Sequence, residues 1–183
     1  VGLLEAKPQL DEDSDAGAAE RLKVGEDLDR HVRLEFNIPG VTFGGRYDAS
    51  PLIVHDGTLP PPDAANSYTP TACPGGRPPH AWLADGRSLF DTFHTEWTLL
   101  QLGAEAAASD LQAFIEAARA LRLDLKVVAH ATPELRALYE APLALIRPDQ
   151  IVAWRGFDAR DAAAVLGQVS GLLVAGQILS AAA

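Results

Sequence analysis

The chain has 183 residues, 48% of them hydrophobic, with 25 acidic side chains against 15 basic ones and a formal net charge of −10. That length fits one domain of ordinary size, or one domain with an extended arm, and the apolar fraction is enough for a sizeable core. Scattered, outnumbered Lys and Arg exclude a nucleic-acid partner. The longest apolar stretch, Gly171 to Gly176 with Ile178 and Leu179 beyond it, is far short of the roughly 20 residues of a membrane span, so no membrane partner is expected.

Residues 1–39 form an acidic segment, expected to be partly mobile or helical. Its DEDSD run and scarcity of aromatics mark a solvated stretch, and Leu22, Leu28, Val32 and Leu34 are spaced loosely enough to predict only a short helix between Ala18 and Leu34. Val1 is no start methionine and the sequence holds none, which suggests processing or a piece of something longer. Residues 40–79 are predicted to be an extended proline-rich arm. Pro60 to Pro62 and their neighbours lack backbone donors, so the arm should lie along another surface instead of entering a sheet.

From residue 80 to 183 short strands alternate with helices. AWLAD (81–85) and WTLLQLG (97–103) read as strands. SDLQAFIEAARALR reads as a helix capped by Ser109 with Gln112 three residues on, and LDLKVVAH as an apolar strand. Thr132 and Pro133 open a short helix, and LALIRPDQIVAWRG is a hairpin turning at Pro148-Asp149. Asp158 is expected to cap a last helix that carries Val165, Leu166 and Val169. A βαβ unit followed by a hairpin and a closing helix predicts an α/β fold, a thioredoxin-like sandwich with a mixed sheet and helices on both faces.

Chemistry is sparse. Cys73 is a single thiol placed before the sandwich begins, so it has no resolving partner for thiol–disulfide exchange and no cationic neighbour close in sequence. Cys73→Ser is therefore expected to be silent. A lone cysteine and no leader peptide suggest a cytoplasmic address. The histidines at 31, 55, 80, 94 and 130 show no HxH or HxxxH pairing for a metal. GQVSG falls inside a helix, out of register with a nucleophile elbow, and GVTFGG lacks the Lys and Ser/Thr of a phosphate loop. In RPDQIVAWRG, Asp149 could pair with Arg147 or Arg155, and Trp154 reads as packed core.

In order, GRYDASPLIVHDGTLPPPD, YTPTACPGGRPPHAWLADGRSLFDTF, WTLLQLG, RPDQIVAWRG and DAAAVLGQVSG resemble the C-terminal region of FAD-dependent aromatic hydroxylases. These form the phenol hydroxylase and polyketide hydroxylase branch of the para-hydroxybenzoate hydroxylase-like flavin monooxygenases. The similarity runs from about Gly40 to Gly171. It implies a thioredoxin-like domain without redox cysteines that follows the catalytic part of such enzymes. The chain would then be non-catalytic and act in packing or assembly, while FAD and NAD(P)H belong to the parent hydroxylase. Expected partners are the parent's flavin-binding and substrate domains and further copies of this chain, the latter through the arm and the apolar Leu172, Leu173, Val174, Ile178 and Leu179. No catalytic, cofactor-binding or metal-binding residue is assigned. Arg77, His80, Asp85, Arg147, Asp149 and Trp154 are expected to serve structure or an interface. The alternative is a free-standing thioredoxin-fold binding protein without redox activity. An enzyme of unrelated chemistry would have to use Arg77, His80 and Asp85.

Overall fold

A computed structural model describes residues 7–172, so Leu173, Val174, Ile178 and Leu179 of the expected association surface lie outside the described residues. The chain forms two compact units, residues 1–43 with 63–68, and residues 44–62 with 69–183. The proline-rich stretch is thus shared between them.

In the first unit the expected short helix is instead the 22-residue α1 (Asp15–Phe36), followed by the brief α2 (Pro39–Phe43). Local interactions supply what its apolar spacing does not. The Ser14 hydroxyl accepts from the Gly17 amide at 3.1 Å, and Asp29 pairs with Arg33 one turn on. The Asn66 side-chain amide donates to the Arg33, Leu34 and Asn37 carbonyls at the far end. Leu22, Leu28, Val32, Leu34 and Phe36 are left exposed.

The second unit is an α/β sandwich. Strands β1 (Trp97–Gln101), β2 (Leu125–Ala129), β3 (Leu143–Ile146) and β4 (Val152–Gly156) lie in the order β2-β1-β3-β4. β1 is parallel to β2 and antiparallel to β3, and β3 and β4 are antiparallel. Helix α3 (Ala108–Ala120) makes the β1-to-β2 crossover, α4 (Pro133–Tyr139) follows β2, and α5 (Ala162–Val169) closes the unit. This is the expected thioredoxin-like plan. Alternation splits the strands between two cores. Leu99, Leu145 and Ala153 meet Phe114 of α3 and Val165, Leu166 and Val169 of α5 on one face. Leu100, Ala144, Ile146 and Val152 meet Leu135 and Tyr139 of α4, with Leu89 and Ala72, on the other.

Three local expectations need correction. AWLAD is no strand: it makes one isolated bridge, Trp82 to Ser88, because the chain reverses at Asp85-Gly86, where Gly86 takes a left-handed φ of 82°. Ser109 does not cap α3, which starts one residue earlier. Asp110 does that work, its carboxylate accepting from the Ala107 amide at 3.1 Å and, across to the β4–α5 loop, from the Ala159 amide at 3.0 Å. Nor does Asp158 cap α5, which starts at Ala162. Asp158 pairs with Arg160 instead.

The arm covers the outer edge of β4. Val54 donates to the Ala153 carbonyl, Gly75 to Val152, and Val152 to Gly76, at 2.8 to 2.9 Å. These donors come from the non-proline positions, which is how a proline-rich segment closes a sheet edge that would otherwise be open to another chain.

Candidate functional site

The hairpin RPDQIVAWRG divides its charges. Arg147 grips Asp149 with two bonds of 3.0 and 2.9 Å beside the exposed turn, and its guanidinium lies 5.8 Å from the Tyr47 ring centroid. A pair of this kind contributes little. Arg155 points the other way and only 5% of its side chain is exposed. Its guanidinium donates to Asp56 at 2.6 Å, Thr58 at 2.9 Å, Glu140 at 2.8 Å and the Tyr139 carbonyl at 2.9 Å. Burial works to lower the Arg155 pKa, but hydrogen bonds to Asp56 and Glu140 outweigh it and raise the value. Burial likewise pushes the Asp56 carboxyl up, and bonds from Arg155 and Thr58 override it and hold it below the usual carboxylate range. Arg155 therefore fastens the arm and the end of α4 to β4. The residues after it leave no space: a Cβ on Gly156 would stand 2.3 Å from the Trp154 indole.

Trp154 is half-buried and packs at 5.1 Å on Phe114, at the margin of the core instead of inside it. Arg77 and His80 meet through one ring. The Arg77 guanidinium lies 4.9 Å over Phe90, His80 stacks on the same ring at 5.7 Å, and His80 meets Trp82 edge-on at 4.8 Å. His80 also hydrogen-bonds the Ser88 hydroxyl at 2.9 Å, which anchors the hairpin of residues 81–89. Asp85 forms a separate pair with Arg87 at 2.7 Å, and bonds from the Arg87 amide and guanidinium lower its pKa. The structure thus joins Arg77 to His80 but places Asp85 beside a histidine not singled out in the sequence, His130.

Cys73 departs from the sequence reading. It is 1% exposed, and Arg46, 27 residues away, brings a guanidinium nitrogen within 3.5 Å of Sγ. The thiol is a packed seam residue, so Cys73→Ser should not be silent. The native thiol should react with Ellman's reagent at least about 100-fold more slowly than the same protein in urea, because reaction requires local opening. Equal rates would show the seam to be open.

Nucleotide pyrophosphates are usually held where the first strand of a βαβ unit meets its helix. Here that turn does not fit the group. Asp110 already occupies the Ala107 amide, and Glu105 stands in the same turn, paired with Arg136. Two carboxylates there would repel a pyrophosphate.

No described helix is long and apolar enough to cross a membrane. The aromatic-ring hydroxylase C-terminal family matches residues 71–172. Among curated proteins the chain is similar to the FAD-dependent monooxygenase opdD of Penicillium oxalicum, 34% identical over 65% of this chain and 23% of that protein. It is also similar to aklavinone 12-hydroxylase RdmE of Streptomyces purpurascens, 35% identical over 70% of this chain and 26% of that protein. Among solved structures it superposes on RebC-10x with a TM-score of 0.77 at 34% identity, covering 92% of this chain and 32% of that one. The chain therefore spans about a quarter of the length of these curated relatives and about a third of RebC-10x. With the family match covering the sheet, its helices and the Arg155 hairpin, this chain belongs to the aromatic-ring hydroxylase C-terminal domain family.

Proposed function

We propose that the chain is a non-catalytic C-terminal domain of an FAD- and NAD(P)H-dependent aromatic-ring hydroxylase and acts in packing and assembly. The observation that carries this reading is the use made of its charged residues. Asp56 and Glu140 are both bound by the buried Arg155 guanidinium, which holds the arm to the sheet, and the crossover turn is blocked by Asp110 and Glu105. Family membership at a quarter of the relatives' length supports a parent that brings the flavin-binding and substrate domains. The exposed apolar residues of α1 suit a segment that packs against such domains or against a second copy of the chain.

The purified protein should be colourless, should not bind FAD at micromolar concentration by titration calorimetry, and should not oxidise NADH or NADPH in the presence of phenols. Stoichiometric flavin absorbance surviving dialysis would overturn the non-catalytic reading. Failure to associate with a separately produced flavin domain of a relative would leave the chemistry untouched but would remove the packing role.

A further inference from the structure

Helix α1 carries an apolar stripe that no described residue covers. Ala18, Gly25 and Val32 recur every seven positions, with Leu22 and Leu28 beside them on the same side. All five are exposed, whereas Glu20, Val24 and Asp27 on the opposite side are half-buried. Gly25 is the centre of the stripe, and nothing within the described chain calls for glycine there. A Cβ added to it would meet nothing within 4 Å, while at Gly17 and Gly40 one would strike carbonyl oxygens at 2.2 and 1.8 Å. Glycine in a helix interior costs stability against alanine. On an exposed apolar stripe, what offsets that cost is the close approach of a second backbone.

We propose that this backbone is the α1 of a second copy of the chain, packed antiparallel with the crossing at Gly25. A two-fold interface must be self-complementary, so that if one residue meets another, the reverse contact is made too. The α1 sequence meets that condition. A two-fold axis at Gly25 sets Leu22 against Leu28 of the second copy, Ala18 against Val32, and Arg21 against Asp29, each twice. Arg21 and Asp29 flank the stripe at its rim. There Arg21 gives one guanidinium nitrogen to the Leu10 and Glu12 carbonyls, and Asp29 accepts from Arg33. Exposed pairs of this kind select register more than they add affinity. The pairing rests on the packing role proposed above, narrowed to one partner.

Sedimentation equilibrium of the full 183-residue protein should give a dimer. Its Kd should be on the order of 10 μM, because one helix pair buries less than the ~800 Å² per partner of a standard interface. Gly25→Gln fills the crossing without adding apolar surface and should weaken the dimer at least about tenfold. Far-ultraviolet circular dichroism of that variant should show helix content undiminished, since glutamine is the better helix former. Arg21→Glu and Asp29→Arg should each weaken the dimer about fivefold by opposing like charges. An equimolar mixture of the two should recover it, because both rim pairs are then opposite in sign. A wild-type protein still monomeric at about tenfold the expected Kd, a Gly25→Gln protein that dimerises as well as wild type, or a mixture no better than its components would each overturn the pairing. Such a failure would leave the association with a flavin domain, tested above, untouched.

Discussion

Arg155→Ala is expected to cost about 3 kcal/mol, a large part of the ~5–15 kcal/mol that holds a typical domain folded. Removing one member of a buried ion pair costs about 3–5 kcal/mol because the other charge stays behind without its partner. Asp56 and Glu140 keep side-chain exposures of 24% and 63%, and that water relieves some of the loss. Arg155→Lys keeps the charge but not the planar fork that reaches Asp56, Thr58, Glu140 and the Tyr139 carbonyl together, so it should cost roughly 1–2 kcal/mol. Urea midpoints followed by tryptophan fluorescence measure both. The pH dependence carries a sign. Asp56 has a folded pKa below its unfolded value, so the unfolded chain binds more protons between the two. The contribution is fully present above about pH 4 and fades as pH falls through the carboxylate range. Arg155→Ala should flatten that acid limb. An unchanged midpoint together with an unchanged acid limb would mean that the arm is held by other contacts.

Phe114→Ala is expected to cost about 3–5 kcal/mol. Phe114 is fully buried between α3, α5 and the sheet and carries the Trp154 indole at 5.1 Å. Cutting it to a methyl leaves a void bounded by three elements fixed by their own hydrogen bonds, so little collapse can offset the loss. Phe114→Leu, which refills most of the space, should cost less than about 1.5 kcal/mol. Near-ultraviolet circular dichroism should lose the Trp154 band in the alanine variant and keep it in the leucine variant. Equal stability of the two would contradict a rigid face.

The sheet was legible because its two central strands are buried on both faces. WTLL and LALI are buried throughout, the edge strand LKVVA is apolar but for Lys126, and the Pro148-Asp149 turn has its own chemistry, so period and turn agreed. AWLAD is apolar too but is stopped by a glycine two positions after its last alanine, where the chain must reverse. Helix α1 outruns its apolar spacing for the opposite reason. Its stability comes from caps and ion pairs, and one cap, Asn66, lies about 30 residues away. Among the candidate residues, alternation pairs Trp154 with Val152, yet past the irregularity opposite Leu145/Ile146 it packs on the Phe114 side with Ala153, and the partners of Arg155 are separated from it by 15, 97 and 99 residues, a distance that no local pattern encodes. One signal was available: an arginine inside VAWRG, where the flanking strand positions are apolar, must find a carboxylate. His130 gave no such sign, since only the reversal at Gly86 brings Asp85 to it.

That long separation fixes an order of events during synthesis. The ribosome delivers Asp56 and Thr58 well before Arg155, and at ~5–20 residues per second the gap of 99 residues is about 5–20 s. Through that interval the arm has no β4 edge to bond and no guanidinium to neutralise Asp56. Its prolines then serve a second purpose, because a segment poor in backbone donors is a poor template for strand addition by a neighbouring chain. The nascent protein can wait with its arm undocked, and the arrival of one arginine ends the wait.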